Sequence, residues 1–429
     1  MIYKTKKMNM NKLINQGKIA CITLCSLLLI LASCSSDSKD DPTPPTPEKK
    51  NELQGKLSQE LTLEAGETYE LIGGYEVEEG GVLNIEEGVT IVATQSIDGA
   101  PDYILVKQGG KINAIGTAEN PIVMTANNKK PGAWGGVHIC GKAPVNLQGG
   151  QGKSEIGDAT FGGNDPTDNS GTMKYVRLEY TGFAFSPTKE SNGLTLYGVG
   201  NGTSLSYLQT YYGADDGFEW FGGTVNAKYL VSTASEDDSF DWTDGWVGKG
   251  QFWVAYQDQS APDSNGTANG DCLIEADNRE DNFTNTPVSC PTLANITLVG
   301  NNDKNKQQRG IRLRAGTQIK LYNTLVTGKD KSITIATDET HQSFIDKNSL
   351  IEYSHLSTSF FYETGEDLNL STAEGNAINQ NITNSLTNGY IGVIPGGKDL
   401  SKEDDFFTSA PYIGAVPQNE DWTKGWTKR

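Results

Sequence analysis

The chain has 429 residues, with 54 acidic against 35 basic side chains, a formal net charge of −19 at pH 7 and 49 glycines. Such a charge repels nucleic acid and polyanionic ligands unless cations intervene, so no nucleic-acid partner is expected. Three histidines, His138, His341 and His355, and the lack of a CxxC pair leave little from which to build a zinc site.

At the N-terminus, Lys4, Lys6, Lys7, Lys12 and Lys18 precede the apolar run CITLCSLLLILA and then Ser33 and Cys34. This is the pattern of a secretory signal over residues 1–33, too short for a comfortable membrane span. Leu31-Ala32-Ser33-Cys34 matches the bacterial lipobox, in which the cysteine becomes the lipidated first residue. Cys34 is therefore the expected lipidation site, and the membrane the expected partner through it. Loss of residues 1–33 removes five lysines and no acids, which takes the charge from −19 to −24. Residues 34–55, including SSDSKDDPTPPTPEKKN, have almost nothing apolar to bury and read as a disordered Pro-rich tether. Within it, Lys39-Asp40-Asp41 resembles the acidic export signal of surface lipoproteins in the Bacteroidetes group, which implies outer-membrane anchoring with surface display.

The remainder repeats itself. VEEGGVLNI from Val77 returns 29 residues later as VKQGGKINA from Val106, and LANITLVG from Leu293 returns after 28 as LYNTLVTG from Leu321, with Asn295 over Asn323. Between them, ADDGFEW from Ala214 and EDDSFDW from Glu236 lie 22 residues apart, and Leu194-Thr195-Leu196 sits 24 residues upstream of Phe218-Glu219-Trp220. Short apolar alternations punctuated by Gly and Asn at this period predict an all-β fold, a parallel β-helix solenoid. Propeller blades need about 40 to 45 residues, and leucine-rich repeats need a leucine pattern that is missing here. Recurrent turn asparagines are expected to bond to one another up the stack. The solenoid is placed at residues 56–328, and residues 329–429 are read as the last coils and an irregular C-terminal cap, with the DWTKGWT tail over the last turn.

GTAENPIVMTA from Gly116, PGAWGGVHICGKAPVN from Pro131, GTMKYVRLEYTG from Gly171, NGLTLYGVGNGTSLSYLQ from Asn192, DDGFEWFGGTVNAKYLVS from Asp215, and the terminal YIGAV and DWTKGWT resemble an envelope family of bacterial right-handed β-helix lipoproteins. The resemblance implies the fold and the envelope location, and no activity.

On a strand, Phe218 and Trp220 point one way and Glu219 the other, and Phe240, Asp241 and Trp242 repeat the arrangement. With the aromatics inside, Glu219 and Asp241 become outer neighbours about 4.8 Å apart. Asp215 and Asp237 are expected on the same face, Asp216 and Asp238 at the turn or interior edge, and Glu236 and Asp244 close by. Stacked carboxylates need compensation. Three forms are open: Ca²⁺, held by Asp215, Asp216, Glu219, Asp237, Asp238, Asp241 and Asp244 with turn carbonyls and water; turn amides donating to the acids; or catalysis by paired acids, as in polygalacturonase-like glycoside hydrolases. The HG and RIK-type companions of those hydrolases are missing. Pectate lyases use Ca²⁺ with a basic residue, for which Arg309, Arg312 and Arg314 are the nearest candidates, although surface ladder charge is the favoured reading of these arginines.

Two polar loops, from Leu147 and from Asp258, border this strip. The second carries Cys272 and Cys290, which an oxidising envelope permits to form a disulfide, with Cys140 left as a buried thiol. Trp253 is expected to face outward if Phe252 and Val254 face inward, where it suits sugar stacking, and an ordinary half-buried tryptophan under one of the loops stands beside that reading. The favoured function is thus a lipid-anchored envelope protein binding an extracellular ligand, a glycan in preference to a protein, through Glu219, Asp241, Trp253 and Ca²⁺. A polysaccharide lyase or glycoside hydrolase acting through the acidic strip, and an accessory lipoprotein of a nutrient-import receptor, stand as alternatives.

Overall fold

The computed structural model describes residues 51–94, 101–185, 189–257, 270–302 and 309–429. Cys34, the signal and nearly all of the tether lie outside these residues. Residues 52–55, read as the end of that tether, instead belong to strand Glu52–Leu57, which pairs with Thr68–Val77 and buries Leu53.

The chain winds as a right-handed parallel β-helix. One face stacks Tyr103–Val106, Val137–Cys140, Leu194–Tyr197, Phe218–Phe221, Phe240–Thr243, Ile274–Ala276, Arg309–Leu313, Lys331–Ile335 and Phe360–Tyr362, each pairing in parallel with the next. The other two faces are carried by longer strands that bend midway: Gly171–Glu179, Ser204–Tyr211, Asn226–Thr233, Lys249–Tyr256, Thr292–Val299 and Lys320–Thr327. At each bend one residue takes the left-handed conformation: Tyr175 (φ 52°), Tyr207 (56°), Tyr229 (59°), Phe252 (61°), Asn295 (56°) and Asn323 (55°). Such a residue turns the strand and shifts the in–out alternation by one position, so its side chain projects from the corner while the next one points inward.

That shift corrects the reading of Trp253. Phe252 occupies the corner and stacks on Tyr229 (4.8 Å), so Trp253 turns inward in register with Leu230 and Ile296. It is fully buried, lies parallel to Trp220 at 5.1 Å and donates from Nε1 to the Ala227 carbonyl. Phe218 on Phe240 (5.5 Å) and Trp220 on Trp246 (4.8 Å) complete an aromatic interior. Side chains of this size contribute about 1.5–3 kcal/mol each through burial.

The corner asparagines stack in register but hold other partners. Asn295 Nδ2 donates to the Ala410 and Tyr412 carbonyls and Asn323 Nδ2 to that of Lys398. Mutual bonding occurs instead at Asn84 and Asn113, where Nδ2 of the latter donates to Oδ1 of the former at 2.9 Å.

The ladders run past residue 328, through Lys331–Ile335 to Phe360–Tyr362. The C-terminal stretch does not end as a lid on the last turn. It forms an antiparallel pair, Gly392–Pro395 with Tyr412–Val416, and runs back along the outside of the solenoid. Trp426 packs edge-on against Tyr175 (5.7 Å) and Tyr207 (6.1 Å), and the Lys428 amide donates to Gln209 Oε1 at 2.8 Å. The physical reason lies in the corner column: Tyr175, Tyr207 and Tyr229, stacked at 4.4 and 4.2 Å, leave an apolar ridge that the tail indoles remove from water.

Candidate functional site

On the outside of the first face, one column reads His138, Thr195, Glu219, Asp241, Glu275, Arg312 in consecutive rungs. Glu219 and Asp241 are direct partners, as the 22-residue repeat predicts. Glu275 extends the acids by one rung, and Arg312 ends the run, its Nη1 donating to Glu275 Oε1 at 2.8 Å. Two residues further along each strand, a second outer column places Phe221 beside Thr243, and Arg314 meets Asp277 (Nε to Oδ1, 2.7 Å) and Glu275 (2.8 Å). Arg312 and Arg314 thus share the face with the acids, two rungs from Asp241, as counter-ions. Arg309 turns instead to Glu363 (2.9 Å).

The remaining expected ligands differ in their partners. Asp216 and Asp238 cap turns, because Asp216 Oδ1 accepts from the Asp238 amide (2.8 Å) and Asp238 Oδ1 from the Cys272 amide (2.5 Å). Asp215 is nearly buried and Asp237 exposed, yet their carboxyls meet beside that of Asp216. Asp244 sits in a left-handed turn (φ 55°) and accepts from Arg279 Nη1 at 2.9 Å, outside the tight carboxylate groups. Cys272 and Cys290 are both free. Cys272 is drawn among the acids, its Sγ 3.8 Å from Glu275 Oε1, whereas the Cys290 amide is bound to the Trp246 carbonyl.

Three sets bring one ligand atom per residue within 4.8 Å of one another: Asp216, Glu219 and Asp241; Asp215, Asp216 and Asp237; and Asp238, Cys272 and Glu275. Burial, with neighbouring carboxylates adding, holds Asp216, Glu219, Asp238 and Asp241 well above the usual carboxylate range. Burial pushes Asp215 up to about 8. Asp244 and Asp277 rise only to about 6, because burial is opposed by Arg279 and Arg314 respectively. Asn192 Nδ2 donates to Glu219 Oε2, whereas Asp241 Oδ1 lies out of solvent contact with no hydrogen-bond partner among the described residues. Hard oxygen donors so crowded, one of them orphaned, fit a Ca²⁺ ion, which draws 6 to 8 oxygens at about 2.3–2.6 Å. The set containing Cys272 is less suited to it, since a thiol is a soft ligand.

A cleft of about 400 Å³ opens over this face, lined by Glu155, Glu219, Phe221, Asp241, Asp277 and Arg314 among others. An adjoining cleft of about 360 Å³ shares Glu155, Phe221, Asp244 and Arg279 with it. Glu155 comes from the loop after Leu147, accepts from the Tyr197 hydroxyl at 3.3 Å and is pushed up to about 7 by burial. Phe221 is half-buried and supplies the apolar floor wrongly assigned to Trp253. Its signal was available, since two residues beyond Glu219 on a strand is the same face. Glu275 and Asp277 were hidden because their rung, Ile274–Ala276, follows residues 258–269 inserted into the repeat. His138 shares the column two rungs from Glu219, but it is fully buried, its Nε2 meets the Gly135 carbonyl at 2.7 Å, and burial pushes its pKa down to about 4.

A family model described as a pectate-lyase-like β-helix domain matches residues 55–427. No curated protein and no solved structure matches the chain.

Proposed function

The chain belongs to the pectate-lyase-like β-helix domain family, and from that premise we propose that it binds a glycan along the acidic face, with Ca²⁺ neutralising the carboxylates. The observation that carries this reading is the grouping of Asp216, Glu219 and Asp241 within 4.8 Å, the last two lining one cleft with the half-buried Phe221 ring. A sugar ring laid on Phe221 brings its hydroxyls to the carboxylates and to the cation. Arg279 and Arg314 are already paired with acids, so without a cation the cleft is net negative and disfavours uronate polymers. The lipobox ending in Cys34 and the acidic residues after it support a lipid-anchored outer-membrane protein that meets its glycan outside the cell.

The test is calorimetric titration of EGTA-stripped protein with Ca²⁺, followed by a glycan array with and without the ion. Asp241→Asn should lose both responses while remaining folded. Unchanged calcium affinity and glycan binding in that variant would remove the face from consideration.

One observation favours a second reading, glycan cleavage. Glu155 lines the cleft with Glu219 and adds to the repulsion that raises it, so a protonated and an ionised carboxyl are available together. Release of reducing or unsaturated ends from a bound glycan, abolished by Glu155→Gln, separates this reading from binding alone.

A further inference from the structure

Seven tryptophans occur in the chain, and six of them, Trp134, Trp220, Trp242, Trp246, Trp253 and Trp426, are fully buried. Trp422 is the exception, only half-buried on the C-terminal strap. Its placement is rigid: Nε1 donates to the Ala415 carbonyl at 2.9 Å, and the ring meets Tyr229 at 5.1 Å and Trp426 at 6.3 Å. The remainder of the ring borders a cavity of about 800 Å³ whose rim is Asn388, Gln418, Asn419, Glu420 and Lys424, all exposed, with the ion pair Asp421–Arg429 (2.7 Å) closing one side. None of these residues lines the clefts over the acidic face.

We propose that this bowl is a second glycan site, taking a neutral hexose or pentose unit stacked on Trp422. An aromatic plane whose orientation is fixed by packing loses little entropy on binding and suits the C–H face of a sugar ring. Side-chain amides offer the paired donors and acceptors that vicinal hydroxyls require. The charged side chains around the bowl balance, two acids against two bases, which distinguishes it from the acidic face and suits an uncharged ligand. The proposal goes beyond the reading of the acidic face and does not depend on it.

Because the other six indoles are buried, a change in tryptophan emission on adding a sugar reports Trp422. The probes are hexasaccharides of glucose, mannose, galactose and xylose, added in turn to the folded domain. At least one should shift or quench the emission, and calorimetry should give the same affinity. Trp422→Ala should weaken that probe by about tenfold or more. Should Trp422→Ala loosen the strap, the double variant Gln418→Ala, Asn419→Ala decides, since both residues are exposed; it should lose affinity several-fold with an unchanged melting temperature. Asp241→Asn should leave the response intact, which separates this site from the acidic face. Failure of all four sugars to change the emission or release heat, or undiminished binding by the folded rim variant, overturns the proposal.

Discussion

The acidic face and the aromatic corner are products of one device, vertical registration, applied to opposite chemistries. At the corner, Tyr175, Tyr207 and Tyr229 stack at 4.4 and 4.2 Å, rings that attract one another and need only a cover, which Trp426 and Trp422 supply. On the face, Glu219, Asp241 and Glu275 take equivalent positions on consecutive rungs, but like charges repel and low-dielectric surroundings magnify the cost. A solenoid therefore multiplies whatever a column contains. An apolar column becomes a stabilising ridge, and an anionic one becomes a site that must recruit protons, arginines or a cation.

The largest expected effect tests the corner. Trp426→Ala removes a fully buried indole and uncovers the tyrosine column, and should cost about 3–5 kcal/mol in chemical denaturation. A loss below about 1 kcal/mol would mean that the ridge tolerates water and that the strap is no part of the stabilising core.

The next tests the face through pH. Asp215 is held at about 8 when folded against 3.8 in its ordinary state, and Asp216, Glu219, Asp238 and Asp241 are raised likewise. With a folded pKa above the unfolded one, the native chain binds more protons between the two values, so stability is fully present below about pH 4 and declines as pH rises toward 8. In EGTA the decline should reach roughly 1 kcal/mol per pH unit for each group still protonated only in the fold. Saturating Ca²⁺ should flatten it, because the ion replaces the protons. A melting temperature in EGTA that is flat from pH 4 to 8 would show that the charges are already compensated within the chain.

Arg314→Ala should have a smaller effect, about 1–2 kcal/mol, since the side chain is 27% exposed and its bridges to Glu275 and Asp277 are partly screened. Its sign is informative: removing the counter-ion should steepen the pH dependence, as Asp277 loses the group that opposes its burial. An unchanged pH profile would place the neutralising charge elsewhere.

How far the molecule could be read in advance follows the same division. The pairing of Glu219 with Asp241 was legible because FEW and FDW recur with nothing inserted between equivalent positions. Trp253 was misread because alternation is a rule for straight strands, and the left-handed Phe252 breaks it one residue earlier. Glu275 and Asp277 escaped notice because an insertion carries their rung out of the period. The path of the tail was illegible for a different reason: contacts such as Lys428 to Gln209 span 219 residues, and no local pattern encodes them.

The smallest expected effect concerns two aspartates that strand alternation alone could not tell apart. Asp237 and Asp241 are four residues apart in EDDSFDW and were both assigned to the outer strip. Asp237 is exposed, so water screens part of its charge although it adds to the repulsion on Asp215, whereas Asp241 is in the column with one oxygen shut off from solvent. Asp237→Asn should therefore have the smaller effect, a gain below about 1 kcal/mol from relieved repulsion on Asp215. Asp241→Asn, by contrast, relieves repulsion from Glu275 and Asp277 and should stabilise the calcium-free protein above pH 7 while abolishing the gain from Ca²⁺. Equal responses of the two variants in paired melts with EGTA and with Ca²⁺ would mean that the loop and the column form one solvated surface, and the contrast between a screened and a stacked carboxylate would fail.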